Sequence, residues 1–235
     1  MARHPLQRFS SPSHGLSLLF HLLGTADFAY CFYCLTLWKY PRTNGFGWHF
    51  QYITNIGLGL STISFALGAL ADITSSTIIF KIKNALSVLG APLEVTVTIL
   101  YWGIVALGRN LIVQAGFKLP LLLNLGFHLA PAIFQSLDYI LFSPPWTLST
   151  SGLAALSAAF AFGYKCWVDY CHSRNGWYPY PLLEVLNTPQ QLLLHSLTGV
   201  LVFASSRALN WAYTRANGSS SVGKEQTAQS AKKQE

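Results

Sequence analysis

The stretch LLNLGFHLAPAIFQSLDYILF, from Leu122 to Phe142, decides the fold class of this chain. A helix needs about 20 mostly apolar residues to cross the ~30 Å hydrocarbon core of a bilayer. This run supplies them, although it also carries His128, Gln135 and Asp138. Polar and charged groups inside a bilayer cost free energy, so they generally face the interior of a helix bundle and mark packing or function. The stretch therefore predicts a membrane-spanning helix with one polar side.

Composition and hydropathy extend this interpretation to the whole chain. Of the 235 residues, 51% are hydrophobic and only 10% are charged, whereas soluble domains carry about 25% charged residues. We predict an all-α membrane protein, a six-transmembrane-helix bundle with short loops, in which residues 1–15 form a cytosolic N-terminal segment, 16–213 the membrane domain and 214–235 a disordered cytosolic tail. The predicted spans are Leu16–Trp38, Trp48–Leu70, Ala85–Leu107, Leu119–Phe142, Ser149–Cys171 and Leu192–Tyr213.

Lysine and arginine are unevenly distributed over the predicted loops. The N-terminus, the second loop with Lys81 and Lys83, the fourth loop and the tail hold more of them than the opposite side. Positive residues favour the cytosolic side, so both termini are expected in the cytosol. Positive residues beside the spans explain the net charge of +7, so this charge does not indicate a nucleic-acid partner. The terminal Lys232-Lys233 resembles a dilysine retrieval signal and predicts the endoplasmic reticulum.

Polar residues of the fourth span follow a helical spacing. Asn124, His128, Pro131, Gln135 and Asp138 are separated by 4, 3, 4 and 3 positions, which puts them along one side of a continuous helix. The strip is expected to face away from lipid and towards other helices.

The second span carries a comparable stripe that includes Thr54 and Asn55, and its Gly57 and Gly68 would let another helix approach closely. The second and fourth spans start on the same membrane face. Thr54 lies about six residues into its span and His128 about nine, so they are roughly 9 and 13 Å deep at about 1.5 Å per residue. A pocket between them is expected, and the fifth loop contributes Trp177, Tyr178 and Glu184 at its mouth.

This pair of residues is suited to nucleophilic catalysis. An alcohol side chain becomes a good nucleophile when a neighbouring imidazole takes its proton, so Thr54 with His128 could attack an ester carbonyl. Asn55 and Asn124 are candidate donors to the oxyanion. No cofactor or metal is implied, because the four cysteines suit buried small apolar side chains.

Two further motifs resemble a known family. GYKCWVDYCHSRNGWYPYPLLE, from Gly163 to Glu184, and WHFQYITNIGL, from Trp48 to Leu58, are similar to segments of the androgen-induced gene family of multi-pass membrane proteins. Members of that family are threonine hydrolases of fatty acid esters of hydroxy fatty acids. The resemblance implies that Thr54 is the nucleophile and, through the segment Asn124–His128, that His128 is the catalytic histidine.

The sequence differs from the family pattern at two positions. Gly57 stands where the family typically has an aspartate, and Leu125 replaces a histidine. The expected function is cleavage of such esters. The lipid ester substrate is expected to enter from the bilayer, and membrane lipids are expected to surround the protein. The sequence leaves two alternatives open: a transporter or lipid-binding scaffold, and polar stripes that serve helix packing alone.

Overall fold

The structure is a computed structural model that describes residues 4–37, 44–113 and 117–218. These residues form helices without any strand. The predicted all-α class is therefore confirmed for the described part of the chain. The eight helices are α1 (Leu16–Leu37), α2 (Ile53–Thr74), α3 (Thr77–Gly108), α4 (Leu121–His128), α5 (Ala130–Phe142), α6 (Thr150–Asn175), α7 (Pro181–Val185) and α8 (Thr188–Asn217).

The predicted count of six spans is not confirmed. Among the described residues, α1, α2, α3 and α8 are long and apolar enough to cross a membrane, and the bent pair of α4 and α5 makes a fifth span if it is counted as one. The remaining predicted span corresponds to α6, which is long but rich in small and polar residues and carries Lys165 and Asp169. Its first part is an apolar run that suggested a span, but the helix as a whole is not apolar enough to belong to this set.

The fourth predicted span is broken in the middle. Helix α4 ends at His128, α5 starts at Ala130, and the two axes are bent by 40°. The cause is Pro131 at the start of α5, since proline lacks an N–H and its ring clashes with the preceding turn of a helix. The predicted continuous polar strip is therefore wrong: Asn124 and His128 belong to one helix, while Gln135 and Asp138 are fully buried in the other.

Helix α3 lies at the centre of the bundle. It packs against α2, α5 and α8, while α1 packs on α2 and α6 on α8. Two glycines of α2 permit close contacts, as predicted. A Cβ at Gly57 would lie 2.9 Å from an oxygen of Glu94, and one at Gly68 would lie 2.6 Å from the ring of His21. Glu94 is 1% exposed and accepts a hydrogen bond of 2.9 Å from Ser61.

A group of four buried charged residues, which we call the charged cluster, joins four helices at one end of the bundle. It consists of His21, Asp72, Lys83 and Asp138, all with side chains 0% exposed. The His21 Nδ1 lies 2.6 Å from Asp72 Oδ2, and its Nε2 lies 2.9 Å from Asp138 Oδ1. Lys83 pairs with the second oxygen of Asp138. Because carboxylates accept hydrogen bonds, His21 donates from both nitrogens and is cationic, which balances the charges.

The segment before α1 is attached to this cluster. Asp72 accepts hydrogen bonds from the backbone N–H of Ser13 at 2.8 Å and from the Ser17 hydroxyl at 2.7 Å. Lys83 was predicted to lie in the second loop, among the positive residues of the cytosolic side. It lies inside α3 instead. It is therefore a bundle residue and not a positive flank. At the other terminus α8 continues to Asn217, into the predicted tail, and Lys232-Lys233 lies outside the described residues.

Candidate active site

A cavity of about 200 Å³ lies at the opposite end of the bundle, where α2, α4 and α8 begin and α3 ends. Most of its lining consists of leucine, isoleucine, valine and phenylalanine. Within the described ranges, no aspartate, glutamate, lysine or arginine lines it. The polar and tyrosine residues that reach it are His49, Tyr52, Thr54, Asn55, Tyr101, His128, Tyr164, Tyr180, His195 and Thr198.

Thr54 is the second residue of α2 and lines the cavity, where it is half-buried. The helix starts at Ile53 because Tyr52 before it has an extended backbone. The first N–H groups of a helix have no partner within the helix, and the aligned peptide dipoles favour negative charge there. Thr54 therefore belongs to the electropositive end of α2 and lines a mostly apolar cavity.

His128 lines the same cavity from the last position of α4. Its Nδ1 lies 2.8 Å from the side-chain oxygen of Asn124 and 3.1 Å from the backbone oxygen of that residue. Both oxygens are acceptors, so Nδ1 carries the proton and Nε2 keeps its lone pair. The ring of Tyr101 stacks on His128 with centroids 3.4 Å apart, and Thr98 donates to the His128 carbonyl at 2.7 Å. These contacts fix the imidazole ring and leave the lone pair of Nε2 in place.

The loop between α6 and α8 brings Tyr180 to Thr54. The backbone N–H of Ile53 donates to the Tyr180 hydroxyl at 3.0 Å, and the Tyr180 ring meets that of Tyr52 edge to face. Burial raises the pKa of Tyr180 to about 12, against the effects of its neighbours Ile53, Tyr164 and Thr54. Tyr180 therefore stays a neutral hydroxyl at physiological pH.

The two asparagines with predicted oxyanion roles have other partners. The Asn55 amide lines the cavity and donates to the His49 carbonyl at 2.9 Å. Asn124 accepts from His128, and it is not among the residues that line the cavity. Its contact orients the imidazole. Glu94 accepts a hydrogen bond from Ser61. Asp138 accepts one from His21 within the charged cluster.

The three loop residues predicted at the mouth of the pocket lie beside the cavity without lining it. The backbone N–H of Tyr178 donates to Glu184 at 2.8 Å, and the Tyr178 ring stacks on His172 with centroids 3.9 Å apart. Trp177 lies against Gly45. These contacts brace the loop, and Tyr180, Leu182 and Leu183 reach the cavity in their place.

Sequence reasoning missed two further histidines of the lining, His49 and His195. The His195 Nδ1 lies 2.8 Å from the Gln191 carbonyl, so its Nε2 also keeps a lone pair. A signal was present: Gln191, His195 and Thr198 repeat the 4, 3 spacing of Asn124, His128 and Pro131. In the described part of the chain, no group of three or more histidine, cysteine, aspartate or glutamate residues is placed to hold a metal ion.

The apolar helices and the cavity between them define a multi-pass membrane protein. Residues 16–214 match the FAR-17a/AIG1-like protein family, and the chain belongs to that family. This finding supports the resemblance stated above from the sequence motifs.

Two curated relatives agree with the family match. The chain is 31% identical over 195 residues to the UPF0641 membrane protein PJ4664.05 of Schizosaccharomyces pombe, which covers 80% of this chain and 86% of the relative. It is 25% identical over 192 residues to the Androgen-induced gene 1 protein of Homo sapiens, covering 72% of this chain and 80% of the relative. No solved structure matches the chain.

Proposed function

We propose that this protein is a membrane-embedded hydrolase that cleaves esters of fatty acids with hydroxy fatty acids, with Thr54 as nucleophile and His128 as general base. The observation that carries the proposal is that Thr54 and an imidazole whose Nε2 keeps its lone pair line one mostly apolar cavity. An apolar cavity suits acyl chains, and a few polar groups suit the ester. The substrate would enter from the bilayer.

In the first step Thr54 attacks the ester carbonyl carbon. Its proton moves to the Nε2 of His128 as the new C–O bond forms, and the carbonyl electron pair moves to oxygen. When the tetrahedral intermediate collapses, the bond to the leaving alkoxide breaks and His128 returns the proton to that oxygen. A hydroxy fatty acid leaves, and the acyl group remains on Thr54.

Water completes the cycle by the same route in reverse. His128 takes a proton from the water molecule as its oxygen attacks the acyl carbon. Collapse of the second intermediate frees the fatty acid, and the proton returns to the Thr54 oxygen. No cofactor takes part in this scheme.

Thr54→Ala tests the proposal most directly, since it removes the nucleophile and keeps the helix. We expect loss of ester cleavage and of labelling by a fluorophosphonate probe, with labelling of the wild-type protein located at Thr54 by mass spectrometry. Thr198→Ala is the matched control, because Thr198 lines the same cavity and its hydroxyl donates to the Leu194 carbonyl at 2.9 Å. Full turnover in Thr54→Ala would end the proposal.

A lipid-binding scaffold is the second candidate function, because the apolar lining would also hold an acyl chain without chemistry. That function predicts saturable binding of the ester by the purified protein with no product over long incubation, and equal binding by the wild type and Thr54→Ala.

We further propose that the protein resides in the endoplasmic reticulum with both termini cytosolic. The distribution of lysine and arginine in the sequence supports this location. Replacement of Lys232 and Lys233 by serine should release the protein towards the cell surface, which fluorescence microscopy can record.

A further inference from the structure

The Tyr180 hydroxyl differs from the other tyrosine hydroxyl beside it. Tyr164 donates its proton to the Gln51 carbonyl at 3.0 Å. Tyr180 instead accepts at its oxygen, from the backbone N–H of Ile53 at 3.0 Å. The side chains of Tyr164 and Thr54 also hydrogen-bond with the Tyr180 hydroxyl. Because the Tyr164 proton goes to the Gln51 carbonyl, the Tyr180 proton is directed to a hydroxyl oxygen at the cavity and not to the backbone.

The position of this hydroxyl matters because Ile53 precedes Thr54 directly. The oxygen of Tyr180 is held at the first turn of α2, next to the proposed nucleophile. An N–H that donates to a hydroxyl oxygen polarises the hydroxyl and makes it a stronger donor. A neutral O–H, polarised in this way and facing an apolar cavity, is suited to a developing negative charge.

We propose that Tyr180 is a catalytic residue that donates its O–H to the carbonyl oxygen of the ester and stabilises the oxyanion formed when Thr54 attacks. This assignment rests on the proposed function. In the ground state the Tyr180 and Thr54 side chains are hydrogen-bonding neighbours. As the bond from Thr54 to the carbonyl carbon forms, the carbonyl oxygen becomes negative beside the same hydroxyl. No proton is transferred in this step; the hydrogen bond shortens, and it lengthens again when the leaving group departs.

The competing oxyanion donors are less suited by their contacts. The Asn55 amide already donates to the His49 carbonyl, and Asn124 is occupied with His128 and lies outside the lining. Tyr180 comes from a different part of the chain, 126 positions after Thr54. The loop between α6 and α8 would thus complete the active site.

Tyr180→Phe tests the assignment because it keeps the ring, its edge-to-face contact with Tyr52 and the shape of the cavity. We expect kcat for ester cleavage to fall about 10²- to 10³-fold, with KM changed by less than about threefold. Fluorophosphonate labelling of Thr54 should slow in parallel, because the phosphonyl oxygen would occupy the same place. Tyr178→Phe is the matched control: it lies in the same loop, and its hydroxyl donates to Asp169 at 3.3 Å.

A second measurement separates catalysis from folding. A fluorinated tyrosine at position 180 keeps both ring and hydroxyl but ionises more readily. If Tyr180 must donate, the alkaline limb of the kcat profile should move to lower pH, while the thermal unfolding midpoint in detergent stays unchanged.

Three results would overturn the assignment. Wild-type kcat in Tyr180→Phe together with an inactive Thr54→Ala would remove Tyr180 from the mechanism and leave the proposed hydrolase intact. Absence of both turnover and Thr54 labelling in the wild-type protein would remove the hydrolase and this assignment together. An unmoved alkaline limb in the fluorotyrosine protein also contradicts the donor role.

Discussion

The two ends of the bundle use polar residues in opposite ways. At one end the charged cluster brings two carboxylates and two cations together with no exposed side-chain surface. At the other end the cavity is lined by neutral polar groups, and within the described ranges no charged carboxylate, lysine or arginine reaches it. Thr54 and Asp72 of α2 mark the two regions, and they are about 27 Å apart along the helix at about 1.5 Å per residue.

The difference shows that charge inside a membrane does not by itself locate a functional site. In the charged cluster every charge has a partner, so the residues join α1, α2, α3 and α5. In the cavity, the imidazoles of His128 and His195 each keep the lone pair of Nε2, because Nδ1 takes the proton. We therefore expect changes at the cluster to alter stability and changes at the cavity to alter activity.

Asp138→Asn should give the largest effect on stability. The substitution removes the carboxylate that Lys83 and one nitrogen of His21 share. Both of these groups are fully buried and would lose their charged partner. Removing one partner of a buried ion pair costs about 3–5 kcal/mol, so the free energy of unfolding in detergent should fall by about that amount. Turnover per folded molecule should not change.

A control and a charge-balanced variant sharpen this test. Asp169→Asn removes a carboxylate from the pair with Lys165, whose aspartate is 44% exposed, and such pairs contribute about 0–1 kcal/mol. Lys83→Met combined with Asp138→Leu keeps the charge balanced and should destabilise less than Asp138→Asn alone. Equal losses for Asp138→Asn and Asp169→Asn would contradict the interpretation of the cluster.

His128→Asn should affect activity at the cavity end. Loss of general-base help lowers kcat about 10²- to 10⁴-fold, which corresponds to about 3–5 kcal/mol in the activation barrier. The free energy of unfolding should change less than in Asp138→Asn, because asparagine at position 128 leaves no buried charge without a partner. His195→Asn is the matched comparison, because its Nδ1 also contacts a backbone carbonyl. If His195→Asn causes the greater loss of kcat, the base is His195 and our assignment is wrong.

Gly57→Ala should have an intermediate effect on stability. The new Cβ would lie 2.9 Å from an oxygen of the buried Glu94, and overpacking of this kind costs about 1–3 kcal/mol. Gly163→Ala is the control: a Cβ there meets nothing within 4 Å, and alanine is favoured over glycine in a helix by about 1 kcal/mol. Denaturant unfolding of both variants in detergent measures the contrast, and a stabilised Gly57→Ala would contradict it.

The smallest expected effect is the pH dependence contributed by His49, which lies before α2. Burial lowers the pKa of its imidazole from 6.5, although a hydrogen bond to the Leu35 backbone opposes this. A lowered pKa means that the folded state prefers the neutral ring. The contribution of His49 to stability is therefore complete above the unfolded pKa of about 6.5 and is lost as the pH falls below it.

His49→Gln should reduce the fall in the thermal unfolding midpoint between pH 7.5 and pH 5.5. His14→Gln is the comparison, since His14 is an exposed histidine. An equal fall in the wild type and His49→Gln would show that other groups account for the acid sensitivity.

The sequence predicted the cavity residues better than their surroundings. Thr54 and His128 were selected from helical rise and residue spacing, which depend on local sequence, and both line the cavity. Tyr180 was missed because it comes from a loop, where no periodicity fixes the direction of a side chain. Asn124 was assigned to the oxyanion because spacing gives the face of a helix but not the partner of an amide.

The charged cluster shows a different limit. The sequence indicated that Asp138 would avoid lipid, since a charge in hydrocarbon is costly. It gave no way to pair Asp138 with His21, 117 positions earlier, or to move Lys83 from a loop into the bundle. Such pairs depend on the arrangement of whole helices.

The sequence by itself determined that the protein lies in a membrane and that it is helical, and it selected Thr54 and His128, because hydropathy and residue spacing are local properties of the chain. The tertiary structure decided the bend at Pro131, the closed charged cluster and the approach of Tyr180 to Thr54. These features require residues that are distant in the chain to pack together, and the spacing of residues along one helix carries no information about its neighbours.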